Sequence, residues 1–277
     1  MKTAIIIDSS VGIKDLSKYK DVYLAPLMII NSKGEEIKDD DKFSDDVFWD
    51  LNETDILKTS STVVGDMYEL WDNLLKKYDS IICIFISKGL SGQYASFKML
   101  SNEEKYANRV FIADSKAVSV IGERQLETTL KMIEDNHKPE EICNFLEEKW
   151  LNNITYIIPK SLTQLVRGGR ISKAAASLAK LFKITPILKF DGSIDKEDKT
   201  RTFNKALSIA LQKIIANNKG KKFVVDVAYT KCDESMLDEV LAMVTAAGCK
   251  VGIIRKLSNV IAVHTGKETI GFVPYVL

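Results

Sequence analysis

The sequence predicts an α/β protein with two domains, and three features lead to this prediction. The chain has 277 residues, more than the ~100–200 residues of a typical domain. Hydrophobic residues make up 45% and charged residues 28%, a balance typical of globular proteins rather than of disordered chains. Short apolar segments alternate with amphipathic segments along the chain, and this alternation predicts mostly parallel strands that are covered by helices.

The predicted strands are short apolar runs, and several of them are continuous rather than alternating. Continuous runs are expected where helices cover both faces of a sheet. The predicted strands span residues 4–7, 22–30, 81–86, 110–113, 155–158, 184–188, 223–228 and 251–254.

Helices are predicted where apolar residues recur at helical spacing. Met67, Trp71 and Leu74 give this pattern in the segment 63–78. Earlier in the chain, Ser44 can cap a short helix that begins directly after it. Further helices are predicted at residues 93–100, 119–136, 139–151, 172–182, 203–217 and 233–247.

The domain boundary is predicted at the turn-rich stretch 159–161. An N-terminal α/β domain would then cover residues 1–160, with a mostly parallel sheet between helices in Rossmann-like layers. A C-terminal α/β domain would cover residues 161–277. The segment 60–80 is the part of the first domain that could pack with the second.

Composition excludes several classes of function and indicates a cytoplasmic protein. The formal net charge is +1, so the molecule as a whole has no basic character to attract nucleic acid. The first apolar run stops at Asp8, and the run 81–86 is too short to cross a bilayer. The four cysteines are scattered without a C-x-x-C pair, which suits a reducing compartment.

Polar residues follow three predicted strands at the point where each strand ends. These loops begin with Asp8-Ser9-Ser10, with Ser87 and with Asp114-Ser115. Because the carboxyl ends of parallel strands meet at one edge of a sheet, the three loops are expected to converge there, where ligands bind in open α/β sheets. The simpler interpretation of the Asp and Ser side chains is that they cap the following helices.

The pair Ser91-Gly92 is the strongest candidate for a binding site. A strand, a turn containing glycine and a helix start place backbone N–H groups and a hydroxyl near a positive helix end, which is an anion site. The anion could be a carboxylate or a phosphate. The loop is not a P-loop, because no G-K-[ST] follows it. It is not a G-x-S-x-G nucleophile elbow either, because Gln93 stands at the last glycine position of that motif.

The two histidines, His137 and His264, offer little support for catalysis. The sequence has no H-x-x-x-H motif and no Cys/His cluster, so no metal site is expected. A catalytic pair of Ser91 and His264 is conceivable, but no acid that would orient the imidazole is evident. A histidine that donates a hydrogen bond to a bound anion is the preferred interpretation.

A basic segment follows residue 162 and contains two adjacent glycines. Gly168 and Gly169 suit a hinge or close turn. The basic side chains form either a solvated surface or a contact surface for an anionic membrane or a partner. They are Arg167, Arg170, Lys173, Lys180 and Lys183.

Collinear motifs along nearly the whole chain resemble the DegV family of bacterial fatty-acid-binding proteins. Residues 86–96, which read ISKGLSGQYAS, are similar to the family signature I-S-x-x-L-S-G-T-Y-x-S. The other matching motifs are Asp8-Ser9-Ser10, Lys58-Thr59-Ser60, Asp114-Ser115 with Ser119, Leu165 with Gly168-Gly169-Arg170-Ile171-Ser172, Ile184-Thr185-Pro186-Ile187-Leu188 and His264-Thr265-Gly266.

The resemblance implies a carrier rather than an enzyme. A single long-chain fatty acid would lie in a buried tunnel between the two domains, and no further cofactor is expected. The protein would present the carboxylate to a separate fatty-acid kinase, which would feed phospholipid synthesis. The residues that correspond to the family's carboxylate ligands are Thr59, Ser60, Ser91, Gly92, Arg201 and His264. Arg170, Lys173 and Lys180 would lie at a gate or at the partner surface.

Three positions depart from the family pattern. Gln93 replaces the usual Thr after Ser91-Gly92, the stretch Ser61-Thr62-Val63 lacks an expected Pro, and Lys267 replaces a Pro after Gly266. Two alternatives to the carrier stay open at this point. One is an enzyme, either a serine hydrolase or a phosphoryl-transfer protein using Ser91 and His264, and the other is a binding module for a different small acid.

Overall fold

The computed structural model describes residues 2–181 and 183–277, and the chain divides into two compact units. The first unit is Met1–Leu151 together with Ser258–Val263, and the second is Asn152–Leu257 together with His264–Leu277. The units therefore differ from the predicted ranges 1–160 and 161–277 at the first boundary and in the short segment near residue 260. The segment 60–80 belongs to the first unit.

The first unit contains a fully parallel sheet, as the continuous apolar runs predict. Its strand order is β2-β1-β6-β7. These strands are β1 Thr3–Asp8, β2 Val22–Ala25, β6 Ser80–Ile84 and β7 Val110–Ile112. A second, antiparallel sheet in this unit has the order β4-β3-β5 and consists of β3 Met28–Ile30, β4 Glu36–Lys38 and β5 Lys58–Ser60.

Helices pack on the first sheet through the apolar faces that their spacing predicts. Met67 and Trp71, on the second helix, are buried against Ile81 and Phe97 in one hydrophobic cluster. The helices of this unit are α1 Asp45–Thr54, α2 Val64–Leu74, α3 Gln93–Leu100, α4 Val120–Glu134 and α5 Pro139–Trp150. The predicted cap Ser44 is confirmed, since its side chain accepts a hydrogen bond from the N–H of Val47.

The second unit contains a mixed sheet of order β10-β9-β8-β13-β11-β12, in which only β11 and β12 pair in parallel among the described strands. The strands are β8 Thr155–Pro159, β9 Thr185–Phe190, β10 Ile194–Thr200, β11 Phe223–Tyr229, β12 Lys250–Lys256 and β13 Thr269–Val276. The helices are α6 Thr163–Gly168, α7 Lys173–Ser177, α8 Phe203–Asn217 and α9 Glu234–Ala246, and a further helix, α10 Asn259–Thr265, is shared with the first unit.

The boundary between the units falls inside α10. Its residues up to Val263 belong to the first unit, where Val260 packs with Leu27 and Phe48 and donates its N–H to Asp39 (3.2 Å). His264 and Thr265 belong to the second unit.

The prediction of mostly parallel strands is correct for the first sheet and wrong for the sheet of the second unit. Two strands that the sequence did not reveal, β10 and β13, take part in three of the four antiparallel pairs described in this sheet, and the fourth pair joins the predicted strands β8 and β9. β10 is a charged strand at the edge of the sheet, where no alternation of apolar residues is required. β13 is central although it contains Gly271 and Pro274, residues that usually argue against a central strand.

Two predicted elements have different extents in the structure. The single strand predicted at 22–30 is two strands, because Pro26 has no N–H with which to continue a ladder. The helix predicted at 172–182 is shorter: α7 ends at Ser177 and one 3-10 turn follows at Leu178–Lys180. Phe182 and the side chain of Lys180 lie outside the described part of the chain.

Candidate functional site

The three polar loops that follow β1, β6 and β7 do meet at one edge of the first sheet. Asp8 accepts a hydrogen bond from the N–H of Ile86 (2.7 Å). The N–H of Ser119 donates to the carbonyl of Ser10 (2.8 Å), and Lys88 pairs with Asp114 (2.5 Å). The convergence predicted from the strand ends is therefore confirmed.

Asp8 is the fully buried centre of this edge. Its carboxylate accepts hydrogen bonds from the N–H of Ser10 (3.1 Å) and from the Ser10 hydroxyl (2.5 Å), besides the one from Ile86. Burial raises the pKa of Asp8 to about 6, since three hydrogen bonds only partly offset the lost hydration. Asp8 thus caps the 3-10 turn Ser9–Val11, as the simpler interpretation predicts.

Asp114 and Ser115 have other partners than the capping interpretation predicts. Asp114 is paired with Lys88. The Ser115 hydroxyl donates to Gln125 Oε1 (2.7 Å), and Gln125 Nε2 donates to the Ser115 carbonyl (2.7 Å). Both residues therefore join loops and helices of the first unit, and Ser115 is bound to the interior of α4 rather than to its start.

The loop from Ser87 to Gly92 presents a half-buried hydroxyl and an exposed backbone. The N–H of Ser91 donates to the carbonyl of Ser87 (3.2 Å), and the Ser91 hydroxyl oxygen accepts from the N–H of Gln93 (3.2 Å). Gly92 has an ordinary φ of −69°, and an added Cβ would meet nothing within 4 Å. Neither the backbone conformation nor the surrounding chain requires a glycine here, which leaves close approach of a ligand as a reason for it.

Thr59 and Ser60 lie on β5, where they pair with Ile29 and Met28 of β3. Both are half-buried. Thr62, just beyond β5, donates its N–H to Gln93 Oε1 (3.0 Å), and Gln93 Nε2 donates to the Thr62 hydroxyl (2.9 Å). The hydroxyl-bearing end of β5 and the start of α3 therefore belong to one hydrogen-bonded assembly within the first unit.

In the second unit, His264 lies against α6 at the two adjacent glycines. An ideal Cβ on Gly168 would lie 2.2 Å from His264 Nδ1. The same helix meets the turn after His264, because a Cβ on Gly266 would lie 1.9 Å from Gln164 Oε1. The motifs around Gly168 and Gly266, far apart in sequence, are thus in close mutual contact.

The environment of His264 keeps its ring neutral at physiological pH. Burial, followed by the positive charges of Arg170 and Arg167, lowers the pKa of the imidazole to about 4. A neutral imidazole has one N–H donor and one acceptor nitrogen. The ring can therefore donate a single hydrogen bond to an anion, while the two arginines supply positive charge.

The other predicted site residues of the second unit differ in exposure. Arg201 is exposed at the turn between β10 and α8, and Lys173 is exposed at the start of α7. Arg170 is half-buried, and its guanidinium donates to the carbonyl of Gly168 (2.7 Å). The predicted role of Lys180 falls on a side chain outside the described residues. The roles of all these residues stay predictions.

Sequence reasoning missed the roles of two pairs of residues. Arg167 and Arg170 were assigned to a gate or surface, although their charges act on His264. Gln93 and Thr62 were noted only as departures from a motif, although they bind each other. For Arg167 and Arg170, the adjacent glycines were the feature of the sequence that could have indicated close packing. For Gln93 and Thr62, neither segment of the sequence indicates that the two residues meet.

Neither a metal centre nor a spanning helix is found in the described residues. Across residues 2–181 and 183–277, no three His, Cys, Asp or Glu side chains are grouped so that they could hold a metal ion. None of the helices in that part of the chain has the length and apolar character needed to cross a bilayer.

Comparison with known proteins gives matches over nearly the whole chain. A sequence profile of the family described as "Uncharacterised protein, DegV family" matches residues 2–276. A DegV domain-containing protein from Mycoplasmopsis pulmonis is 33% identical, with 96% of this chain and 92% of the relative covered.

Two solved structures share the fold. A DegV family protein from Thermus thermophilus, described as binding fatty acid, is 26% identical with a TM-score of 0.88, and 100% of both chains is covered. A fatty acid binding DegV family protein from Streptococcus agalactiae is 24% identical with a TM-score of 0.87, and the match covers 99% of this chain and 98% of that one.

Proposed function

Because the chain belongs to the DegV family, we propose that it binds a single long-chain fatty acid in a buried tunnel. The observation that carries the proposal is the full-length similarity to the Thermus thermophilus protein described as binding fatty acid. The polar groups around Ser91 and around His264 support it, because they are donors of the kind that an acid head group requires.

The proposed head-group site combines hydrogen-bond donors with positive charge. A carboxylate at the end of an apolar tunnel loses hydration, and this loss must be offset by hydrogen bonds and cations. The donors would be Ser91, the Gly92 amide, and Thr59 or Ser60. In the second unit, His264 would donate one hydrogen bond, and Arg201 would supply a guanidinium that can bind both carboxylate oxygens.

The acyl chain would contribute most of the binding energy. A chain of ~16 carbons gains ~0.8 kcal/mol per buried CH₂, on the order of 12 kcal/mol before costs. Association and ordering cost ~4 kcal/mol or more. The remaining affinity is enough for the acid to stay bound through purification.

We further propose that the protein is a cytoplasmic carrier without turnover of its own, which presents the carboxylate to a fatty-acid kinase for phospholipid synthesis. The hydrolase alternative is weaker, because an imidazole with a pKa of about 4 is a poor general base at neutral pH. Protein alone should hydrolyse neither esters nor ATP above background, and turnover abolished by Ser91→Ala would overturn the carrier proposal. The kinase step is tested by adding such a kinase with ATP and measuring acyl phosphate.

The experiment that tests the head-group site compares an acid with its methyl ester. Mass spectrometry of the denatured protein should show about one equivalent of endogenous fatty acid. In calorimetry, wild type should prefer palmitate to methyl palmitate, and Arg201→Ala should lose most of that preference. The loss corresponds to ~1–3 kcal/mol, or roughly tenfold to hundredfold in affinity.

Lys199→Ala is the matched control, since Lys199 is an exposed cation two residues before Arg201. It should retain the preference for the acid. Equal binding of acid and ester by wild type would refute the head-group assignment, and a protein that neither retains nor binds fatty acid would refute the carrier. Strong binding of a short acid alone would favour a module for another small acid.

The basic segment from Arg167 to Lys183 would contact anionic membrane during ligand exchange. Each basic residue near anionic lipid contributes ~1 kcal/mol, and salt weakens the attraction. Replacing Lys173, Lys180 and Lys183 with Glu should slow transfer of fatty acid from anionic vesicles. Unchanged transfer rates at low salt would eliminate the membrane contact.

A further inference from the structure

Two of the three departures from the DegV pattern contact each other. Gln93 stands where the family signature has Thr, and Thr62 lies in the stretch that lacks the expected Pro. Gln93 is 0% exposed and Thr62 is 4% exposed. Both are polar residues buried in the first unit, so their hydrogen-bonding groups must be satisfied within the protein.

The contacts between them are reciprocal. Gln93 Oε1 accepts the backbone N–H of Thr62 (3.0 Å), and Gln93 Nε2 donates to the Thr62 hydroxyl (2.9 Å). That hydroxyl in turn donates to the carbonyl of Ala25 (3.3 Å). One side-chain amide thereby joins the first residue of α3 to the segment that follows β5, and this segment is held to the end of β2.

We propose that Thr62 and Gln93 are a linked pair that positions two ligand segments relative to each other. Those segments are Thr59-Ser60 and Ser91-Gly92, so the pair sets the selectivity for a carboxylate. The selectivity part rests on the proposed function; the linkage itself does not.

The physical basis of the linkage is the N–H of residue 62. A buried backbone N–H needs an acceptor, and Gln93 is long enough to bring its amide oxygen to it. Proline has no N–H, so a chain with Pro at this position needs no acceptor from residue 93. Changing either residue alone leaves buried polar groups without partners, whereas changing both removes the donor and the acceptor together.

The test is a double-mutant cycle with Gln93→Met, Thr62→Pro and the combined variant. Each single change should lower the melting temperature of ligand-free protein by about 2–8 °C. The combined variant should recover most of that loss. Thr62→Val, which keeps the N–H and removes only the hydroxyl, provides a second cycle with Gln93→Met if Thr62→Pro does not fold, and its losses should also be less than additive.

Selectivity is measured as the ratio of the affinities for palmitate and methyl palmitate. Gln93→Met should lower the affinity for palmitate about tenfold while changing that for the ester little. Gln125→Met is the matched control, because Gln125 is also 0% exposed and uses both amide atoms, but on Ser115. It should lower the melting temperature and leave the ratio unchanged.

The outcomes separate this inference from the proposed function. Additive losses in both cycles would overturn the linkage. A ratio for Gln93→Met equal to that for Gln125→Met would overturn the positioning role. If wild type bound neither palmitate nor its ester, the carrier proposal would fail, and recovery of the melting temperature in the combined variant would still establish the pair.

Discussion

Gly168→Ala tests whether the close approach of α6 holds the His264 imidazole in position. Gly168 is the last residue of α6, and an ideal Cβ there would lie 2.2 Å from His264 Nδ1 and 3.0 Å from Cε1. Ordinary contacts begin at 3.4 Å, so the ring must move by about 1.2 Å or the helix must retreat. Packing does not absorb displacements of this size without cost.

The expected magnitude follows from two opposing effects. Overpacking of a filled site costs about 1–3 kcal/mol, while Ala in place of Gly in a helix gains about 0.5–1 kcal/mol. We expect a net loss of about 1–2 kcal/mol of stability in the second unit. If His264 donates to the bound carboxylate, its displacement should also weaken fatty-acid binding about tenfold or more.

Three measurements check this expectation: the melting temperature, the affinity for palmitate and the ring resonances of His264 in NMR spectra. The chain has only two histidines, so His264→Gln identifies the signal. Gly169→Ala is the control, because Gly169 has a φ of +65° and nothing within 4 Å of an added Cβ. It should lose ~1–2 kcal/mol through backbone strain alone and leave the His264 resonances in place.

A Gly168→Ala protein with wild-type His264 resonances and wild-type affinity would refute the reasoning. It would mean that α6 moves away at no cost and does not position the ring. Similar affinity losses in both alanine variants, without a change in the His264 signal, would point to general destabilisation instead.

Two further predictions concern protonation. The pKa of the His264 ring is lowered to about 4, so the ring should remain neutral at pH 5. Its NMR signals should therefore not shift between pH 7 and pH 5. A titration of these signals with a midpoint near pH 6.5 would contradict the buried environment of the ring. Burial raises the pKa of Asp8 from 3.8 to about 6, so the folded protein holds a proton that the unfolded chain releases in this interval. Protonated Asp8 therefore contributes about 3 kcal/mol to the free energy of unfolding relative to the ionised form. This contribution is fully present below pH 4 and is lost as the pH rises through 6. Asp8→Asn cannot ionise, so its stability relative to wild type should increase from pH 4 to 7, and parallel stability curves for the two proteins would show that Asp8 titrates normally.

The fold was predictable where burial alone determines the sequence pattern. β1 and β6 are buried along their whole length, and their apolar runs show this directly. β10 is an edge strand whose residues read IDKEDKT, a composition that does not predict a strand. Its backbone is held in the strand conformation by antiparallel pairing with β9. Of the two strands missed in the second unit, β10 is held by hydrogen bonds to β9 rather than by side-chain burial. β13 is buried from Thr269 to Pro274, and its glycine and proline concealed the apolar run.

The residues themselves pointed to Ser91-Gly92 as an anion site and to His264 as a hydrogen-bond donor, and the resemblance to a family added Thr59, Ser60 and Arg201 to the predicted site. A motif identifies residues such as Ser91 and His264 one segment at a time. The contact between Thr62 and Gln93 joins residues 31 positions apart, and neither segment contains evidence of the other. In the sequence, Gln93 is a departure from the motif, whereas in the structure both the oxygen and the nitrogen of its side-chain amide have a partner.

The glycines of the matched motifs differ in the physical reason for their small size. Gly168 is required by a neighbour inside the protein, the imidazole of His264, and Gly266 is required by its backbone φ of +73°. Gly92 has no such neighbour and an ordinary backbone conformation. The first two are therefore explained by the local structure of the second unit, and Gly168 would affect a ligand indirectly, through His264. Gly92 is the glycine whose small size would matter directly to a ligand, because the space that a side chain would fill next to the start of α3 is open to solvent. A substitution there should spare stability and act on binding, the opposite of the order expected at Gly168.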